Sequence, residues 1–147
     1  GGFFGSRLMK NIREEKGLTY GIYSHIYSLN NEGYFSISTD CKGDFAQQVI
    51  DEISKEIETL QNTPVERDEL ETVKNYMLGS FTSSVATPFA LMDRFKAVYF
   101  QGLNYHHYDL YFDTIRKLTA DDVQHQSQKH LELNSLITCS VGPNKLS

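Results

Sequence analysis

Arg13 and Tyr20 are the residues whose types and spacing suit a defined piece of chemistry. They lie in Leu8-Met-Lys-Asn-Ile-Arg-Glu-Glu-Lys-Gly-Leu-Thr-Tyr20, with six residues between them. A guanidinium offers five N–H donors and a phenol offers one, and neither changes protonation state near neutral pH. Such donors suit a peptide carbonyl oxygen, above all one gaining negative charge. Nothing nearby in the sequence could cut the bond so held. The pair needs two elements: a helix that stops at Gly17, and a strand that Tyr20 opens. That arrangement can set both side chains at one end of a sheet. Plainer roles stay open, since a last-turn arginine complements the negative end of a helix dipole and tyrosine is common strand material.

Other constellations are weaker. The five histidines are His25, His106, His107, His125 and His130. None forms the zinc-binding patterns H-x-x-E-H or H-E-x-x-H. His106 and His107 are adjacent and diverge by about 100° on a helix. His125 and His130 are five apart, off the spacing of facing helical residues. A metalloenzyme built from His106, His107, His125 and nearby acids remains one alternative. A binding module with an aromatic surface is another, on nine Tyr and nine Phe. G-x-S-x-G and the phosphate loop G-x-x-x-x-G-K-[ST] are both absent. Cys41 and Cys139 read as two buried free thiols. A disulfide between them would need neighbouring strands and an oxidising compartment.

The elements follow from periodicity. Phe3 to Lys16 reads as a loop feeding a helix, with Phe4, Leu8 and Ile12 as its apolar stripe and Gly17 as its stop. Tyr20 to Leu29 and Tyr34 to Thr39 read as a hairpin around the turn Asn30-Asn31-Glu32-Gly33. Ser24, Ser28, Ser36 and Ser38 alternate with bulky residues and predict one polar sheet face. Asp44 is expected to cap a helix with the ladder Phe45, Val49, Ile53, Ile57 and Leu60. Thr63-Pro64-Val65-Glu66 reads as a capping box, and Thr87-Pro88 as a cap followed by a first-turn proline. Thr119 to Asp122 is a weaker box. The second long helix carries Leu70, Val73, Met77 and Phe81 on one face. The third carries Phe89, Met92, Phe95 and Tyr99 and ends at Gly102. His107 to Leu118 and Ala120 to Leu131 are two more helices, and Leu136 to Gly142 a closing strand. The order predicts an α+β fold, an antiparallel sheet with helices packed on one face. Three strands are few for so many helices, and a first strand ahead of Gly1 is expected to be missing.

With 147 residues and 22% charged side chains the chain fits one soluble globular domain, 1–147. A net charge of −5 without a Lys/Arg cluster argues against a nucleic-acid surface. Apolar runs fall well short of the roughly 18 residues of a membrane span. Gly1-Gly2-Phe3-Phe4, without an initiator Met, reads as the interior of a longer protein. Any export signal would then lie upstream, so the compartment is not legible.

Gly2-Phe-Phe-Gly-Ser-Arg-Leu followed by Asn11-Ile-Arg-Glu-Glu-Lys-Gly-Leu-Thr-Tyr resembles the second, non-catalytic half of pitrilysin/insulinase-family zinc metallopeptidases, processing-peptidase-like domains among them. Asp68-Glu-Leu-Glu-Thr-Val-Lys-Asn and Val141-Gly142-Pro143 extend the likeness along nearly the whole chain. The resemblance implies a zinc-free, substrate-binding half of an endopeptidase, inactive by itself. Zinc is expected on H-x-x-E-H in a catalytic half, fused upstream or separate. By the same similarity Arg13 and Tyr20 hold the scissile carbonyl, Ser24 lines the cleft, and a peptide is the substrate. Gly1-Gly2 is expected to make the turn before the first helix. Some relatives of this kind are structural subunits, so a non-peptidase interaction protein of the same fold is the alternative. An uncovered sheet edge would also invite a homodimer of the fragment.

Overall fold

The structure is a computed structural model and describes residues 2–29 and 32–142. The chain divides into two compact units, Gly1–Asn62 with Ser127–Ser147, and Thr63–Gln126.

The first unit opens on a turn, where Ser6 N–H donates to the Phe3 carbonyl at 3.1 Å. The helix begins at residue 7 and is a π-helix over Met9–Glu15. Its widening shows in Lys16 N–H, which reaches five residues back to the Asn11 carbonyl at 3.1 Å. Leu8, Met9 and Ile12 are buried. Phe4 does not share their stripe: it sits in the turn, 64% exposed, because the helix starts three residues later than the periodicity predicts. Gly17 stops the helix as expected, at φ +63°. Its N–H donates to the Arg13 carbonyl at 3.2 Å, and Leu18 N–H to the Ile12 carbonyl at 3.0 Å. Glycine meets that left-handed position without a Cβ penalty.

β1 (Thr19–Ser28) pairs antiparallel with β2 (Gly33–Cys41), from Thr19↔Cys41 to Ser28↔Gly33. Asn30 and Asn31 of the expected turn lie outside the described residues. Ile22 and Ile37 face the π-helix, and with Leu8, Met9, Ile12, Leu18 and Val49 they form the core. Ser24 pairs with Ile37, whereas Ser36 and Ser38 pair with His25 and Tyr23. The serines therefore divide between the two faces, against the expectation of one polar face. Each strand alternates correctly, but the register sets the two alternations out of phase.

After β2, a 3-10 turn at Gly43–Phe45 leads into α1 (Ala46–Asn62). Asp44 lies inside that turn, and Lys42 takes the position outside it that Asp44 was expected to fill. α1 buries Val49 and Ile57, with Ile53 packed against the core. Its last turn is tied to the end of α5 (Ala120–His130) by Gln61 Nε2, which donates to the Leu131 carbonyl at 2.7 Å. Beyond the 3-10 turn Leu133–Ser135, residues 136–141 run without strand pairing. The predicted closing strand is thus absent among the described residues, and the sheet has two strands rather than three. An extended segment becomes a strand only where a neighbour takes its N–H and C=O groups, and here the ladder is β1–β2 alone. Pro143 of the expected exit lies outside the described residues.

The second unit contains α2 (Arg67–Ser83), α3 (Pro88–Tyr99), α4 (His106–Lys117) and the start of α5. The box predicted at Thr63–Glu66 does not form. α2 begins at Arg67 with Glu66 extended before it at ψ 150°, and Asp68 and Glu69 supply negative charge to its first turn. The caps at Thr87 and Thr119 do form. Thr87 Oγ1 accepts from Ala90 N–H at 3.2 Å, with Pro88 next to it as expected. Thr119 Oγ1 accepts from Asp122 N–H at 3.1 Å while Asp122 Oδ2 accepts from Thr119 N–H at 2.9 Å. Thr119 Oγ1 also donates to Asp122 Oδ2 at 2.6 Å, and that bond first, then the one from Thr119 N–H, holds the Asp122 carboxyl below its ordinary pKa. Phe81 packs on Tyr108, Tyr111 and Phe112 with centroids 5.0, 5.7 and 4.8 Å away. On α3 the buried residue is Val98, while Phe89, Met92 and Tyr99 of the predicted face are exposed. The helical period was right and its inward direction was not. The order of helix, hairpin and helices is α+β, as predicted.

Candidate functional site

Thr19 and Ile22 are both buried although they stand three positions apart, which regular strand alternation forbids. A β-bulge resolves the conflict. Thr19 pairs with Cys41 and Ile22 with Thr39, so Tyr20 and Gly21 together oppose Asp40. Bulges bend a strand and re-aim its side chains. Here the bulge leaves Tyr20 99% exposed.

Threonine hydroxyls brace it. Thr39 Oγ1 donates to the Gly21 carbonyl at 2.8 Å, and Thr19 Oγ1 donates to the Asp40 carbonyl at 2.6 Å. Thr19 Oγ1 also accepts from Gly21 N–H at 3.1 Å. Each hydroxyl proton then has one acceptor, and the irregular backbone has its partners. Ile22 N–H points to Met9 Sδ at 3.4 Å, which ties the strand to the π-helix just past the bulge.

Arg13 occupies the last turn of the π-helix, one residue past fully buried Ile12, and is about one-third exposed. Its guanidinium carbon lies 4.5 Å from the centroid of the Phe4 ring. Its nearest carboxylate oxygen, Glu14 Oε1, is 4.0 Å away, beyond hydrogen-bond range. Among the described residues, no hydrogen bond joins Arg13 to Tyr20 or engages the Tyr20 phenol. Two sets of donors are thus presented from one helix–strand junction.

Glu52 of α1 fixes that junction from behind. The side chain is 6% exposed and accepts from Lys16 Nζ at 2.6 Å, Lys55 Nζ at 2.7 Å and Asn11 Nδ2 at 3.3 Å. Asn11 also donates to Glu56 Oε1 at 2.7 Å. The bonds from Lys16, then Lys55, lower the Glu52 pKa from 4.5 to about 2, against the opposing effect of burial.

Ser24 stands apart from this junction. It is half-buried on the face of Ile22 and Ile37, four residues and about 13 Å of strand beyond Tyr20. Gly2 precedes the turn that opens the first unit, and Gly1 lies outside the described residues. His106 sits 3.3 Å from Asp109 and His25 packs beside Tyr27. Among the described residues no three His, Cys, Asp or Glu side chains converge as metal ligands. Among the described residues, too, no helix is long and apolar enough to cross a membrane. Cys41 is half-buried and Cys139 exposed, both free thiols. The expected burial of Cys139 fails because its segment has no ladder to cover it.

Three features escaped the sequence reading: the Phe4 stack, the threonine brace and Glu52. The bulge had a signal, a glycine between Tyr20 and Ile22 that lets inward side chains fall three apart. Glu52 had one too, standing between Val49 and Ile53 on the inner side of α1.

The chain belongs to the M16 peptidase family: the family profile described as the M16 inactive domain matches residues 1–77. It is 33% identical over 94 residues, 64% of its length, to a Bacillus subtilis protein described as the uncharacterized zinc protease YmxG. It is 24% identical over 145 residues to a Helicobacter pylori protein described as the non-peptidase homolog YmxG. The chain spans 23% and 33% of the lengths of these two relatives. Among solved structures, an M16 inactive domain from Pseudomonas fluorescens superposes with a TM-score of 0.78 at 28% identity, over 90% of this chain and 31% of that one.

Proposed function

We propose that this chain is the substrate-holding half of a zinc endopeptidase and is inactive alone, as one domain of a longer protein or as a separate subunit. Tyr20 donates its phenol to the scissile carbonyl oxygen, and Arg13 donates guanidinium N–H groups to the same region. Ser24 lines the cleft further along β1. A zinc-bearing partner half would polarise the carbonyl and activate the attacking water. The observation that carries the reading is the bulge, which leaves the Tyr20 phenol 99% exposed beside a helix end whose arginine keeps its N–H donors out of hydrogen bonds. Donors fixed where charge develops need no reorganisation as it forms.

The test is Arg13→Ala and Tyr20→Phe in the complete protein with its zinc-bearing half. Each variant should fold normally and lose turnover by about 10²–10³-fold, the usual effect of removing one oxyanion donor. Turnover equal to the unsubstituted protein in either variant would sink the reading.

A second reading has its own support. The Helicobacter pylori relative aligned over 99% of this chain is described as a non-peptidase homolog. On that reading the chain is an interaction subunit of the same fold. Zinc content and peptide cleavage of the complete protein separate the two, since an interaction subunit leaves both absent.

A further inference from the structure

We propose that Phe4 is the positioning residue for Arg13, an inference that rests on the carbonyl-holding role just assigned to that arginine. Phe4 is a large apolar side chain left 64% exposed in the turn before the π-helix, so burial does not account for its place. What it touches is the guanidinium of Arg13, whose carbon lies 4.5 Å from its ring centroid.

The contact divides the guanidinium between two partners. A phenyl ring meets its flat face, through quadrupole attraction and stacking. A carbonyl or carboxylate meets its edge, where the N–H groups lie in plane. With its carbon 4.5 Å over the ring centroid, the guanidinium can meet Phe4 with a face and keep its edge for a ligand. Arg13 needs such support, because Glu14 Oε1 at 4.0 Å is too distant to orient it. A free arginine also loses much rotamer freedom when it is held for a ligand, and the ring restricts that freedom beforehand.

The experiment uses Phe4→Leu, Phe4→Trp, Arg13→Ala and the double variant Phe4→Leu/Arg13→Ala in the complete protein with its zinc-bearing half. Leucine keeps the apolar bulk and removes the ring face; tryptophan keeps the face. Phe4→Leu should lower peptide kcat/KM by about 3- to 10-fold with an unchanged unfolding midpoint. Phe4→Trp should restore the rate, and the double variant should be no slower than Arg13→Ala. In NMR spectra of this chain, the Arg13 side-chain protons should lie upfield through the ring current and move downfield in Phe4→Leu. A loss in Arg13→Ala with none in Phe4→Leu overturns the role of Phe4 alone, as does a double variant in which the two losses multiply. Unimpaired turnover in Arg13→Ala removes the task itself and overturns both assignments.

Discussion

Lys16 Nζ lies 2.6 Å from Glu52 Oε2 and so joins the last residue before the Gly17 stop to the middle of α1. The contact is one of three bonds onto a carboxylate that is 6% exposed, and the side chains of Asn11 and Lys55 make the others. The junction that presents Arg13 and Tyr20 is thereby anchored to a helix some forty residues away in sequence.

Glu52 makes stability dependent on acid. Its pKa is about 2 in the folded chain against 4.5 ordinarily. A lowered carboxylate pKa contributes stability that is fully present above the unfolded value and lost as pH falls through the folded one. Urea midpoints should therefore fall from about pH 4.5 down to about pH 2 in the unsubstituted chain. Glu52→Gln should be less stable at neutral pH, and its deficit should shrink across that window. A deficit independent of pH would show that the carboxylate charge is not what matters.

The bulge should be sensitive to single hydroxyls. Thr19→Val keeps the shape of a buried side chain and removes the oxygen that bridges Gly21 N–H and the Asp40 carbonyl. The substitution should cost about 1–3 kcal/mol, the penalty of buried polar groups left without partners, as read by urea unfolding. Thr19→Ser, which keeps the oxygen, should recover most of it.

Two threonine–proline pairs with similar sequence signals should respond differently. Thr87→Ala removes a formed cap and should destabilise by about 0.5–2 kcal/mol. Thr63→Ala should be nearly silent, because α2 starts at Arg67. Thermal unfolding of the two variants decides it, and equal losses would place the start of α2 at Thr63 instead.

The contrast between those threonines shows what the sequence can carry. Cap residues, helical periods and hairpin arms are local signals, and most of them survive, including the stop at Gly17 and the caps at Thr87 and Thr119. Which side of a helix faces inward depends on distant partners. The exposed Phe89 and Met92 were therefore misread on the same helix whose start was read correctly. The closing strand failed for a related reason, since an extended apolar run is half of a ladder. At the candidate site, the helix stop at Gly17 and the start of β1, which carry Arg13 and Tyr20, were legible through spacing. Their supports were not. Phe4 read as one more stripe residue and Glu52 drew no reading, because Arg13 and Lys16, the partners that join them to the junction, lie well beyond a helical turn in sequence.

The bulge has a consequence for chain length. In a regular strand, losing one residue turns every following side chain to the opposite face. At Gly21 the reverse holds: removing it would set Ile22 two places after Thr19, both still inward, and the rest of β1 would keep its pairing with β2. The scaffold would remain sound with a regular edge and a phenol held at a different angle. The count of residues between Gly17 and Ile22 is then a ruler that can be laid on any relative. It separates relatives whose strand carries this bulge from those whose strand runs regular.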